Sequence, residues 1–208
     1  MCRKNFLLPL FRAFQNAVFL RPSHFALFCR HRHRCVGDNR GVPDTSDQWL
    51  RHTLATLAYR AEKALRNAPQ DFAEFRASPR SRSALALVAH LGDLMEWAVR
   101  MTRGEMRWRP VPQTSWPGAN DRFFTGLADL DAALTNEPPE CLPHEVIFQG
   151  PIADALTHIG QLNMMRGMHG TPVRPESYAR AAIARGQVGR NQSSARSEFD
   201  GDASPQER

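Results

Sequence analysis

Two histidines and one aspartate in this 208-residue chain have spacings that allow them to meet on helices. Asp154 and His158 are four residues apart, so on an α-helix they share one face and lie about 6 Å apart along its axis. His90 lies in an earlier segment, three residues after Leu87 and beside an apolar stripe. Two imidazoles and a carboxylate are three ligands for a divalent metal ion, with room left for water or substrate. The sequence therefore predicts a candidate metal site at His90, Asp154 and His158.

The same spacing also has a simpler interpretation. A histidine at the edge of a helical stripe is commonly a hydrogen-bonded core residue, and an aspartate four residues before a histidine commonly forms a local pair with it. Spacing alone leaves both interpretations open. Gln161 follows His158 by about one turn, and we expect it to hold a ligand in place, because metal-bound imidazoles usually contact an outer partner.

The elements that must position these residues are amphipathic helices. Apolar residues recur at intervals of three and four, which predicts helices over about residues 44–68, 80–103, 120–137 and 150–170. Asn120 is the expected cap of the third helix, and Pro151 is expected in the first turn of the fourth. A short fifth helix is expected over residues 176–184, and no segment shows convincing strand alternation. The predicted fold is all-α, a four-helix bundle with a short extra C-terminal helix and disordered tails.

Composition divides the chain into three parts. Residues 1–43 are rich in arginine and almost free of acidic residues, which predicts a disordered basic leader or sequence upstream of the true start. Residues 44–185 contain the predicted helices and form the bundle domain. Residues 186–208 are rich in glycine, serine, arginine and aspartate, a composition that is typical of a disordered tail.

The formal net charge of +6 comes from the leader. Residues 1–43 carry eight basic residues and one acidic residue, whereas the rest of the chain carries 19 basic and 20 acidic residues. A domain that binds nucleic acid needs an excess of positive charge on its folded surface, so we expect no nucleic-acid partner. No apolar run approaches the roughly 18 residues of a membrane span, so we expect no membrane partner.

Cysteine usage indicates a reducing compartment. Three of the four cysteines lie in the leader and one, Cys141, lies in the domain, which is not a disulfide framework. The expected location is therefore cytoplasmic. The leader also contains a cluster without the paired spacing of a zinc knuckle, which we interpret as part of a basic tail: Cys29, His31, His33 and Cys35.

Two segments resemble the DinB-like superfamily of metal-dependent helical-bundle proteins. They read SALALVAHLGDLMEWAVRM over residues 83–101 and GPIADALTHIGQLNMMRGMHGTPV over residues 150–173. A third segment, ESYARAAIARGQVGRNQ over residues 176–192, is similar to the tail of one DinB-like subgroup. The resemblance covers about residues 45–192, which is most of the predicted domain.

The resemblance implies a metal site with three ligands. In that family a histidine on the second helix and a later pair of histidines bind a divalent ion, and His90 and His158 match the first and last of these. Asp154 stands where the family has the remaining histidine. A carboxylate at that position is a harder ligand than imidazole, which leaves zinc, nickel or iron as the expected ion.

The function expected from this resemblance is that of a metal-dependent enzyme. Family members include thiol S-transferases and thiol-dependent isomerases, which implies a low-molecular-weight thiol, or a water molecule for hydrolysis, activated by the ion. The expected partners are a small-molecule substrate and a second copy of the chain. The alternative is a non-catalytic, stress-associated helical dimer with a weak or lost metal site. A third hypothesis is iron-dependent oxidation, because two histidines and a carboxylate can form a facial triad.

Overall fold

A computed structural model describes residues 45–136 and 140–199 of the chain. These residues belong to the unit Pro43–Arg208. The predicted leader, residues 1–43, and the last nine residues of the predicted tail lie outside the described residues.

The described residues form helices and contain no β-strand, in agreement with the predicted all-α class. The helices, in chain order, are α1 (Thr45–Leu65), α2 (Ala84–Met101), α3 (Trp116–Thr135), α4 (His144–Ile147) and α5 (Ala153–Met168). In this part of the chain no helix combines the length and apolar character that crossing a bilayer requires.

The four long helices pack around one apolar core. Helix α2 packs against α3 and α5, and α1 packs against the same two helices from the other side of the core. Helices α2 and α3 approach each other closely at Gly126, where an added Cβ would lie 2.7 Å from the Cβ of Met95. A side chain at position 126 would therefore force these two helices apart. The core is filled mainly by leucine, alanine and phenylalanine side chains, among them Leu54, Leu57, Leu91, Phe123, Leu127 and Leu130.

Helix α3 begins four residues before the predicted cap. Ser115 is the actual cap, and its hydroxyl accepts a hydrogen bond from the N–H of Gly118 at 3.2 Å. Pro117 follows in the first turn, where its missing N–H costs nothing. The amide of Asn120 instead donates to the carbonyl of Trp116 at 2.7 Å within the helix. The prediction that Asn120 caps the helix is therefore wrong.

The predicted start of the fourth helix at Gly150–Pro151 is also wrong. The chain is already helical in α4 and passes through a π-helical turn, Phe148–Ile152, directly into α5. Residues five apart lie about 140° apart around an α-helix, and the wider π turn reduces this angle. Ile147 and Ile152 can therefore both face the core, and both are fully buried. The extra residue in this turn also accommodates Pro151, which has no N–H to donate.

The predicted short helix over residues 176–184 is absent, and the predicted disordered tail is packed over residues 186–199. Only Tyr178–Arg180 forms a short 3₁₀ turn. Residues 175–177 run beside residues 197–199. Two backbone hydrogen bonds join them, from the N–H of Ser177 to the carbonyl of Ser197 and from the N–H of Phe199 to the carbonyl of Pro175. Val188 is buried in the core. Glu176 and Glu198 also pair in an isolated antiparallel bridge, so this part of the chain is extended where the helix is predicted.

A buried ion-pair cluster holds this C-terminal segment on α1. The ammonium of Lys63 donates to Glu176 at 2.8 Å and to Glu198 at 2.7 Å, and the hydroxyl of Tyr59 donates to Glu176 at 2.8 Å. The side chain of Glu176 is completely buried. Burial alone lowers the pKa of Lys63, but its hydrogen bonds to the two carboxylates outweigh this effect and raise the pKa above its usual value. Lys63 therefore carries its positive charge at neutral pH.

Lys63→Met removes the cation and leaves the carboxylate of Glu176 buried without it. We expect the free energy of unfolding to fall by about 3–5 kcal/mol, because breaking a buried pair leaves an uncompensated charge. Urea denaturation measures the change. Arg66→Met is the matched control, because this side chain is 48% exposed and pairs with Glu62 at 3.6 Å. Its expected effect is below about 0.5 kcal/mol, and equal losses in the two variants would contradict the role of the buried cluster.

Candidate metal centre

The three predicted ligand residues lie together between α2 and α5. Nε2 of His90 lies 3.3 Å from Oδ2 of Asp154, and Nε2 of His158 lies 3.3 Å from Oδ1 of the same carboxylate. The ligand atoms all lie within 4.8 Å of one another. Within residues 45–136 and 140–199 this is the one group of three or more His, Cys, Asp or Glu side chains close enough to hold a metal ion.

The helix phases bring the three side chains to this place. On α2, His90 is next to the buried Leu91 and one turn after the buried Leu87, so its ring lies at the boundary of the core. On α5, Asp154 and His158 flank the buried Ala155 and Ile159. Packing of the two apolar faces therefore brings His90 opposite the Asp154–His158 pair.

The two nitrogen–oxygen distances are close to those of a coordination shell, but each imidazole contacts a different oxygen of Asp154, and the three ligand atoms lie within 4.8 Å of one another, which is wider than one shell. Nitrogen and oxygen ligands lie about 2.0–2.2 Å from zinc, so two ligands of a tetrahedral ion are roughly 3.4 Å apart. Both nitrogen–oxygen distances at this site are 3.3 Å. The two imidazole rings are steeply inclined, at 79°, with centroids 4.9 Å apart, so they do not stack on each other. The side chain of Asp154 is 45% exposed, which leaves the centre open on one side.

Gln161 orients the ring of His158. The N–H at Nδ1 of His158 donates to Oε1 of Gln161 at 2.8 Å. In the neutral ring this leaves a lone pair at Nε2, which faces an oxygen of Asp154. Two lone pairs in contact require a cation or a second ring proton between them. The arrangement is therefore suited either to a bound metal ion or to a protonated histidine.

The environment of His90 favours a neutral imidazole. Burial lowers the pKa of His90 below its usual value, and the positive charge of Arg82 and the neighbouring ring of His158 act in the same direction. The hydrogen bond and negative charge of Asp154 oppose these effects without cancelling them. At neutral pH the ring therefore carries a lone pair for a metal ion.

A loop over residues 102–115 closes one side of the centre. The ring of Trp108 contacts that of His90 edge-on, with centroids 5.5 Å apart. Three side chains of α2 hold the loop: Asp93 accepts from the N–H of Val111, Trp97 donates to the carbonyl of Met106, and Arg100 donates to the carbonyl of Arg107. The loop is thus attached to the same helix that carries His90.

Two clefts meet at His90. The first has a volume of about 500 Å³, contains the whole triad, and is lined by Ala77, Ser81, Arg82, Leu87, His90, Asp154, His158, Gln161, Met164 and Met165. The second has a volume of about 660 Å³ and extends under the loop, between Arg82, Ala86, Ala89, His90, Asp93, Trp108, Pro110, Val111, Pro112 and Gln113. Both volumes are in the range of small-molecule sites.

Sequence reasoning pointed to the three residues of the triad and to Gln161 but missed Arg82, which lies immediately before the Ser83 cap of α2. No periodicity or spacing marks this position. Only the packing of the start of α2 beside His90 shows that the side chain of Arg82 lines both clefts. Trp108, in the proline-rich loop, lines the second cleft.

Comparisons of this chain with protein-family models, with curated proteins and with solved structures give no match.

Gln161→Leu removes the acceptor that orients His158. We expect a 10- to 100-fold loss of affinity for Zn²⁺ or Co²⁺, the usual effect of removing an outer partner of a ligating histidine. Competitive titration with a chromophoric chelator measures this affinity. Gln161→Glu retains an acceptor for Nδ1 and should restore most of it, and Gln187→Leu is the control for an exposed glutamine elsewhere. Affinity that is unchanged in Gln161→Leu would contradict the orienting role.

Proposed function

We propose that this chain is a DinB-like four-helix bundle whose His90, Asp154 and His158 bind one divalent metal ion. The observation that carries the proposal is the pair of 3.3 Å contacts between one carboxylate and two imidazole nitrogens on separate helices. The hydrogen bond from His158 to Gln161 adds the outer partner that such ligands require. The sequence resemblance over residues 83–101 and 150–173 points to the same residues.

The proposed activity is that of a metal-dependent enzyme of the S-transferase or hydrolase type. When bound, a divalent ion lowers the pKa of a coordinated thiol or water and so supplies a nucleophile at neutral pH. His90 and His158 provide neutral nitrogen ligands, and Asp154 provides the one negative charge. The open side of Asp154 and the 500 Å³ cleft admit a small-molecule substrate together with a low-molecular-weight thiol.

The ligand set leaves zinc, nickel and iron as the ions to test. Imidazole suits all three, whereas a carboxylate in place of a third imidazole makes the site harder and favours iron more than a three-histidine site would. We further propose a cytoplasmic location, from the cysteine usage. A homodimer would cover part of the apolar surface at the exposed side chains Trp49, Met106 and Val111.

A second candidate function is a non-catalytic helical module. The specific observation in its favour is that the carboxylate of Asp154 is within reach of both imidazoles, so a proton on His158 can stabilise the triad in place of an ion. A structural triad of this kind binds no metal and turns over no substrate. Metal content separates the two functions.

Elemental analysis of protein purified without chelator tests the site directly. We expect about one zinc, nickel or iron per chain in the wild type and loss of the ion in His158→Ala, because two remaining ligands bind weakly. His52→Ala is the matched control, since His52 is an exposed residue of α1 outside the triad. If the wild type contains no metal even after reconstitution, the proposal of a metal-dependent enzyme fails and the non-catalytic helical module is favoured.

Asp154→His tests whether the carboxylate sets the metal preference. A third imidazole should preserve binding and shift the preference toward zinc and nickel over iron by roughly tenfold or more, because softer nitrogen replaces hard oxygen. Competition between Zn²⁺ and Fe²⁺ under anaerobic conditions measures the ratio. Asp154→Ala should lose binding, and an unchanged ratio in Asp154→His would show that the carboxylate is not a ligand.

A further inference from the structure

Arg82 is a cation that lines the first cleft, which contains the triad. In the described part of the chain it has no ion-pair partner. Its side chain is exposed and lines both clefts that meet at His90. Of the described residues that line these clefts, it is the only lysine or arginine. The two clefts therefore share one free guanidinium beside the triad.

The charges around the cleft leave this guanidinium without internal compensation. Asp154 is the only carboxylate among the described residues that line the first cleft, and it belongs to the triad. Asp93 in the second cleft already pairs with Arg122 at 2.7 Å and accepts from the N–H of Val111. A divalent ion bound by one carboxylate and two neutral imidazoles adds a net positive charge. The loaded cleft is therefore cationic and attracts an anion.

The backbone before α2 holds Arg82 in place. Arg76 donates to the carbonyl of Ser81 at 2.6 Å, and the N–H and hydroxyl of Ser81 both bond to Ser78. Ser83 then pairs with Arg76 in an isolated bridge. The residues on both sides of Arg82 are thus fixed by hydrogen bonds, so a ligand meets a guanidinium whose point of attachment is already ordered.

The local amides favour a carboxylate over a phosphate. Phosphate sites commonly use several free N–H groups at a helix start. At the start of α2, the N–H of Ala84 donates to the carbonyl of Phe75, and that of Ala86 donates to the hydroxyl of Ser83. A single guanidinium with few free amides matches the two oxygens of one carboxylate through a bidentate pair.

We propose that Arg82 binds the carboxylate of the small-molecule ligand that occupies the cleft beside His90, Asp154 and His158. This assignment rests on the proposed function, since the ligand's reactive group faces the triad. Arg82 and the triad line the same cleft. The ligand class is therefore a short-chain carboxylic acid that carries a metal-binding group at its other end.

The probes are 6-mercaptohexanoate and the uncharged 6-mercaptohexan-1-ol, which differ only at the end that would meet Arg82. Titration of the Co²⁺-loaded full-length protein follows binding through the thiolate absorption band. We expect the carboxylate probe to bind roughly tenfold more tightly or better, as a charge-assisted hydrogen bond provides. In Arg82→Gln we expect this preference to disappear.

Arg80→Gln is the matched control, because it removes the same charge from an exposed residue two positions earlier that lines neither cleft. It should keep the preference. A preference that survives in Arg82→Gln, or no preference in the wild type, overturns the proposal. Competition by inorganic phosphate at lower concentration than by acetate overturns the assignment to a carboxylate.

Metal content separates this proposal from the proposed function. Arg82→Gln should retain one ion per chain while losing the preference between the probes. If the wild type binds no ion, the proposed function fails, and calorimetry of 6-mercaptohexanoate on the metal-free full chain still tests Arg82. Heat that is lost in Arg82→Gln but retained in Arg80→Gln supports the carboxylate site, and equal heats in the two variants overturn it.

Discussion

The candidate centre depends on one carboxylate that lies between two imidazoles from different helices. His90 is 64 residues away from Asp154 in the chain, and the nitrogen–oxygen distance between them is 3.3 Å. Such a contact is lost when either helix shifts by about one hydrogen-bond length. The packing of α2 against α5 must therefore be rigid. Close packing of α2 with α3 at Gly126 and the loop bonded to Asp93 restrict α2 on its other sides.

The sequence predicts the long helices, and the meeting of His90, Asp154 and His158, where the signal is local. The apolar stripes follow from burial of one helix face, and the four-residue spacing of Asp154 and His158 follows from helix geometry. The predicted N-terminal boundary of α3 is wrong because Asn120 and Ser115 are both residue types that cap helices, and the structure uses Ser115. Local chemistry alone does not distinguish these two residues.

Features that depend on distant contacts were not predictable in this way. Glu176 lies 113 residues from Lys63, and nothing near either residue indicates that they pair. This buried pair is what holds an extended segment where a short helix was expected. The place of Arg82 in the same clefts as His90 also arises from packing, since the segment before α2 has no repeating pattern. The periodicity of a segment reports which face it buries, and it does not report which distant charge it meets.

The π turn between α4 and α5 has a consequence for how such a site persists through evolution. It contains one residue more than an α-helical turn would, and this residue keeps Ile147 and Ile152 on the same side. A homologue that lost one residue here would have to rotate either the preceding apolar residues or the whole of α5 by about 100°. Its sequence would still contain the aspartate and histidine four residues apart. The number of residues in this turn therefore distinguishes homologues in which the three side chains still meet from homologues that retain only the residue types in the sequence.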